Sequence, residues 1–407
     1  MGREIEDFSM NGISEPVEAT PSRLEEQGVR TDAAFWPGFL LGLAATSIVV
    51  GLIWDISWHI SIGRDSFWTP AHMAIYFGGA LAGSVGGWLA MRDTFFARRD
   101  DSASVQMFGL RAPLGAWVAI WGAIAMLTSA PFDDWWHNAY GLDVKIVSPP
   151  HAVLGLGMFG ISLSAVLLVL ARQNRREDGA GSGLFIYAGG IFVALGAVFV
   201  TEFTFPNLQH TATFYAACAI MFPFRLVALG RAGKVSWPAT RIAAVYMGIA
   251  CIMIWILPLF PAQPKLAPIF NRVTHMVPPA FPLLLIFPAL AIDFTLRKAG
   301  ETRGRWRQMA LALGLGAVFL SMLLMVQWFF AWFLLSSYAD NWFFAGNRYW
   351  GYGAGPGEWR TSFLRVNKGS PDADLVTASA LGISWALASI GAWIGLLWGN
   401  WMRKVQR

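Results

Sequence analysis

Four of the chain's six histidines fall into two units of the same design. The first runs from Asp55 through Trp58-His59 to Thr69-Pro70-Ala71-His72; the second runs from Asp133 through Trp136-His137 to Ser148-Pro149-Pro150-His151. In each unit a carboxylate precedes the first histidine by four residues, and the second histidine follows after 12 or 13 intervening residues. Residues four apart on a helix share a face with their Cβ atoms about 5–6 Å apart, so each Asp/His pair can reach one ion. Pro70 and Pro149 suit the first turn of a helix, and Thr69 and Ser148 just before them suit N-caps, so His72 and His151 enter across a hairpin. Two imidazoles and one carboxylate leave coordination positions open, which fits a catalytic metal better than a closed structural one. Copper, iron or zinc could take this set; open positions without cysteine favour copper or non-haem iron. A single histidine at a helix end is often a packing residue. The recurrence of the whole unit argues against that here, because ionisable groups in membranes are costly and tend to be functional.

The elements that carry these residues are read from composition. Of 407 residues, 56% are hydrophobic, 14% are charged and 21 are tryptophan, whereas a soluble chain carries about 25% charge. Apolar runs near the roughly 20 residues needed to span a bilayer lie at 36–57, 70–91, 113–132, 151–171, 183–203, 211–230, 238–260, 275–296, 308–335 and 375–401. The expected fold is all-α, a polytopic integral membrane protein of about ten transmembrane helices. Basic clusters around Arg98, Arg175, Arg231, Arg303 and Lys404 fall in alternate connections. The positive-inside rule assigns that side to the cytoplasm, with both termini, and puts both metal units at the outer face.

Residues 1–34 read as a flexible cytoplasmic tail without the apolar core of a signal peptide. Residues 35–171 form a four-helix metal-binding module. Residues 172–407 form a six-helix module whose long outer loop, 336–374, carries Tyr349, Trp350, Tyr352 and Trp359, the aromatics of a headgroup zone. The net charge of +5 is spread over short clusters between spans, which excludes a nucleic-acid surface. Cys218 and Cys251 sit in separate apolar runs and support neither a disulfide nor a thiolate site. Glu202, His210 and His275 fall at the outer face as auxiliary candidates; Glu202 and His210 straddle two spans as Asp55 and His72 do, without a middle histidine.

The stretch from Asp55 through His59, Arg64-Asp65 and Thr69-Pro70 to His72 resembles the metal-binding motif in the C subunit of the copper-containing membrane monooxygenases, the family of ammonia and particulate methane monooxygenases. That motif is Asp-x3-His-x12-His, and a second unit, Asn-x3-His-x13-His, follows it. Asp133, His137 and His151 keep the second spacing, with Asp in place of Asn. The resemblance covers residues 36–171 and implies copper-ligand roles for Asp55, His59, His72, His137 and His151, with Asp133 an anionic departure.

The resulting expectation is a copper-dependent membrane monooxygenase component with two copper sites; iron or zinc rank below copper. It would activate dioxygen to hydroxylate methane, a short alkane or ammonia, working in a bacterial or archaeal cytoplasmic membrane. Sister subunits, an electron donor or a homo-oligomer are compatible partners. The competing reading is a non-enzymatic copper protein for storage or assembly. Metal transport lacks an inner-face ligand set, and bis-histidine haem ligation leaves both aspartates without a role.

Overall fold

The computed structural model describes residues 36–63, 66–96, 104–140, 148–175, 181–265, 269–302, 304–353 and 374–407. Arg64, Asp65, Trp359, the side chain of His137 and the tail at 1–34 lie outside the described residues. Residues Gly38–Arg407 form one compact unit.

The all-α expectation is what the chain shows. Ten α-helices follow in order: α1 (Trp36–Ser61), α2 (Pro70–Phe95), α3 (Leu114–Tyr140), α4 (Pro149–Arg175), α5 (Ser182–Phe199), α6 (Ala212–Ala232), α7 (Pro238–Ile256), α8 (Ile286–Ala299), α9 (Arg305–Leu335) and α10 (Ala378–Met402). Among the described residues, nine helices are long and apolar enough to cross a membrane; α8, with 14 residues, is not one of them.

The span expected at 275–296 is therefore corrected. Residues 275–284 carry no helix, and only Ile286–Ala299 coils. Pro278, Pro279 and Pro282 explain the difference: proline lacks the N–H a helix needs and pushes the preceding residue out of the helical region. Pro131 and Pro223 sit inside continuous α3 and α6, as membrane helices tolerate. One element was not expected, a hairpin of β1 (Val105–Met107) and β2 (Leu110–Ala112) between α2 and α3. Its turn residues, Phe108 and Gly109, both have positive φ, of 51° and 80°, as a tight two-residue turn requires.

Close helix crossings set the frame for the site. A Cβ on Gly78 would stand 2.6 Å from the Ala44 carbonyl oxygen, and one on Gly157 would stand 2.7 Å from that of Gly122. α1 against α2, and α3 against α4, thus approach backbone to backbone, the membrane device that small residues permit. Both pairs run antiparallel, so the end of α1, the start of α2, the end of α3 and the start of α4 share one end of the bundle.

Polar groups inside the bundle are used structurally. Asp293 of α8, 2% exposed, accepts from the Ala239 and Thr240 N–H groups at 3.1 and 2.8 Å and from the Thr240 hydroxyl at 2.8 Å. It caps the start of α7, whose opening residue Pro238 cannot donate. Arg225 of α6 is buried against aromatic rings, 5.0 Å from the Phe192 centroid and 5.8 Å from that of Phe159, a cation–π setting. Replacing Asp293 with Ala strips three donors of their acceptor. The expected loss is about 1–3 kcal/mol, read as a lower Tm of the purified protein.

Candidate metal centre

The first candidate centre is assembled at the tip of the α1–α2 hairpin. Asp55 and His59, one turn apart on α1, place Asp55 Oδ2 3.8 Å from His59 Nε2. Across the hairpin, His72 Nε2 of α2 lies 3.3 Å from Asp55 Oδ1. All three predicted residues therefore meet, with Asp55 between the imidazoles.

The orientation of His72 comes from the turn before α2. Thr69 occupies the N-cap position, as expected, but its side chain makes no capping bond to the helix. Its hydroxyl instead accepts from the Ser66 N–H at 2.8 Å and donates to the Ser66 carbonyl at 2.7 Å. The same carbonyl lies 3.0 Å from His72 Nδ1. A carbonyl can only accept, so Nδ1 carries the proton and Nε2 is turned to Asp55, the arrangement by which an outer partner fixes a ligand histidine. In the second unit the capping expectation holds: Ser148 Oγ accepts from the His151 N–H at 3.4 Å.

The second centre repeats the cross-hairpin pair. Asp133 Oδ1 of α3 lies 3.6 Å from His151 Nε2 of α4. His137 continues the backbone of α3 one turn after Asp133.

The fit of these residues to a metal can be tested on distances. Two donors each about 2.0–2.1 Å from one tetrahedral ion lie about 3.4 Å apart. The 3.3 Å between Asp55 and His72 matches such an edge, and Asp55 Oδ1 is buried without a hydrogen bond among the described residues. The 3.8 Å to His59 is wider, and among the described residues no three His, Cys, Asp or Glu side chains already form a set that could hold an ion. The Asp55–His72 pair thus fits, and His59 has to close in. With its side chain 50% exposed, against 19% for Asp55 and 22% for His72, it has room to do so.

The clasp behind α1 was not read from the sequence. Ser57 and Ser61, both buried, grip Val277: Ser57 Oγ donates to its carbonyl, and Ser61 Oγ accepts from its N–H at 2.7 Å. The Ile60 carbonyl accepts from Tyr352 N–H at 3.2 Å and the Ile62 carbonyl from Lys265 N–H at 2.9 Å. Two serines spaced four apart at the end of α1 were the available signal.

The auxiliary candidates separate. Glu202 and His275 are exposed, and His275 Nδ1 lies 3.0 Å from the Thr274 hydroxyl. His210 is buried beside α9, with Nε2 3.0 Å from the Trp328 carbonyl and its ring packed on Trp328 and Trp332. Beside it, Gln327 donates to Gln209 at 2.8 Å and accepts from Leu284 N–H at 3.0 Å. Burial holds the His210 imidazole below its ordinary value, with the Trp328 carbonyl acting the other way.

Compared with known protein families, with curated proteins and with solved structures, the chain matches none.

Two outcomes follow for these groups. Ser61→Ala orphans the buried Val277 N–H and is expected to cost about 1–3 kcal/mol, measured as a Tm decrease with the Ser57→Ala,Ser61→Ala pair lower still. For His210, the folded state binds the proton less readily than the unfolded one. Its contribution is therefore complete above the ordinary value of 6.5 and is lost as pH falls below it. Tm recorded from neutral to mildly acidic pH is expected to fall less steeply in His210→Gln than in the wild type.

Proposed function

We propose that this chain is a copper-dependent membrane oxidoreductase component of the monooxygenase kind. The observation that carries the reading is a carboxylate–imidazole pair formed twice, from equivalent positions of successive hairpins, at 3.3 and 3.6 Å. Asp55, His59 and His72 would hold one copper; Asp133 and His151, with His137 from the spacing of its sequence, would hold the other. Bound copper supplies dioxygen activation for insertion of one oxygen atom into a small, weakly polar substrate such as methane, a short alkane or ammonia.

The chain's own part is binding and orientation. The Ser66 carbonyl keeps the His72 Nδ1 proton in place, so that Nε2 is the donor offered to the ion. Asp55 supplies the negative charge that two neutral imidazoles lack, and Asp133 does so in the second unit, favouring a more highly charged ion than an amide would. By the positive-inside rule both centres face outwards from a cytoplasmic membrane. Sister subunits and an electron donor are what the motif's resemblance implies.

A second reading is favoured by accessibility: half-exposed His59, with the side chains of His151 and Asp133 each 31% exposed, suits a protein that receives or hands on copper without catalysis. Metal analysis of the purified protein is expected to find about two copper ions per chain, one for each unit. Asp55→Ala and His72→Ala should each remove one of these, and His151→Ala the other. Unchanged copper in all three variants overturns the site. Copper at full content without reductant-dependent oxygen uptake on any of the named substrates decides for the handling role.

A further inference from the structure

Ile53, two residues before Asp55 on α1, lines a cavity of about 60 Å³ that opens among residues the metal reading does not use. Its lining includes Ile53 of α1, Ala194 and Ala197 of α5, Ala250 of α7, and Phe281 and Leu283 of the extended segment. A water needs about 10–15 Å³ of such space, so there is room for a molecule of about four or five heavy atoms.

The wall is mainly apolar, built of Ala, Val, Ile, Leu, Phe and Pro side chains. Thr201 and Thr204 line it, but their hydroxyls donate to the carbonyls of Ala197 and Thr201, each at 3.2 Å. The Tyr246 hydroxyl, also in the lining, accepts from Leu283 N–H at 3.1 Å. The polar capacity left to the wall is the Tyr246 O–H and the lone pairs of the two threonine hydroxyls, set in a mainly apolar lining that favours an apolar guest. The space exists because prolines replace a helix here: Pro279 and Pro282 belong to the wall and hold the segment extended.

The cavity also has a way in. Ile53, Phe281 and Leu283 are buried, whereas Ala197, Ala250 and Ala280 are partly exposed. The open side therefore lies where α5, α7 and the extended segment before α8 meet, near the end of the bundle that carries the metal units.

We propose that this cavity binds a small apolar molecule of about five heavy atoms or fewer, entering sideways from the bilayer and resting against Ile53, two residues before Asp55. Its chemistry is that of a hydrocarbon, either a free solute dissolved in the membrane or the methyl end of a lipid chain.

The proposal stands apart from the metal reading and is tested with xenon. Crystals of the full chain pressurised with xenon are expected to show an atom bounded by Ile53, Ala250 and Phe281. Ala250→Phe should abolish that peak while copper content stays at the wild-type level; should this variant not fold, Ala250→Val is expected to lower the occupancy. Asp55→Ala should leave xenon in place, separating failure of the cavity from failure of the metal centre. Without xenon, continuous density from the mouth identifies a lipid chain end, and an isolated feature identifies a free solute. Ordered water filling the cavity, absence of xenon from the wild type, or equal xenon in Ala250→Phe overturns the proposal.

Discussion

A helix that ends within or near a bilayer leaves its last carbonyls without partners, and in a poorly hydrated zone each orphan costs several kcal/mol. At the end of α1 this constraint coincides with the demand to display Asp55 and His59. The chain meets both by satisfying α1 from behind: Val277, Tyr352 and Lys265 supply backbone partners, and Ser57 and Ser61 add side-chain bonds. The face bearing Asp55 and His59 is left to turn toward His72. Without that clasp the helix end would fray by a turn, and a turn is the whole distance between Asp55 and His59.

The two candidate centres share a plan but differ in support. At the first, Ser66 links Thr69 and His72 into one hydrogen-bonded turn, so the imidazole is held toward Asp55. At the second, Ser148 accepts from the backbone N–H of His151, and the His151 ring lies 3.6 Å from Asp133.

Most of the architecture was legible because membrane spans are written in composition and length, and nearly every predicted run became a helix. The exception at 275–296 is instructive: hydropathy registers how apolar Pro278, Pro279, Phe281 and Pro282 are, but not that three of them cannot donate to a helix. The meeting of Asp55, His59 and His72 was readable from spacing, since a four-residue step and a proline-started helix each dictate direction. The clasp was not, because Val277 lies 220 and 216 positions from Ser57 and Ser61 and no local pattern announces so distant a partner. The burial of His210 on Trp328 was hidden for the same reason.

That distance also bears on how the protein comes into being. A nascent chain that has emerged through α4 already contains every proposed ligand, yet the groups that steady the end of α1 are translated much later, with Tyr352 almost the last. The first centre is therefore complete in sequence long before it is complete in structure. A chain truncated before α9 would carry the proposed ligands together with Lys265 and Val277, but would lack Tyr352. Full support of the α1 end is thereby tied to translation past Tyr352.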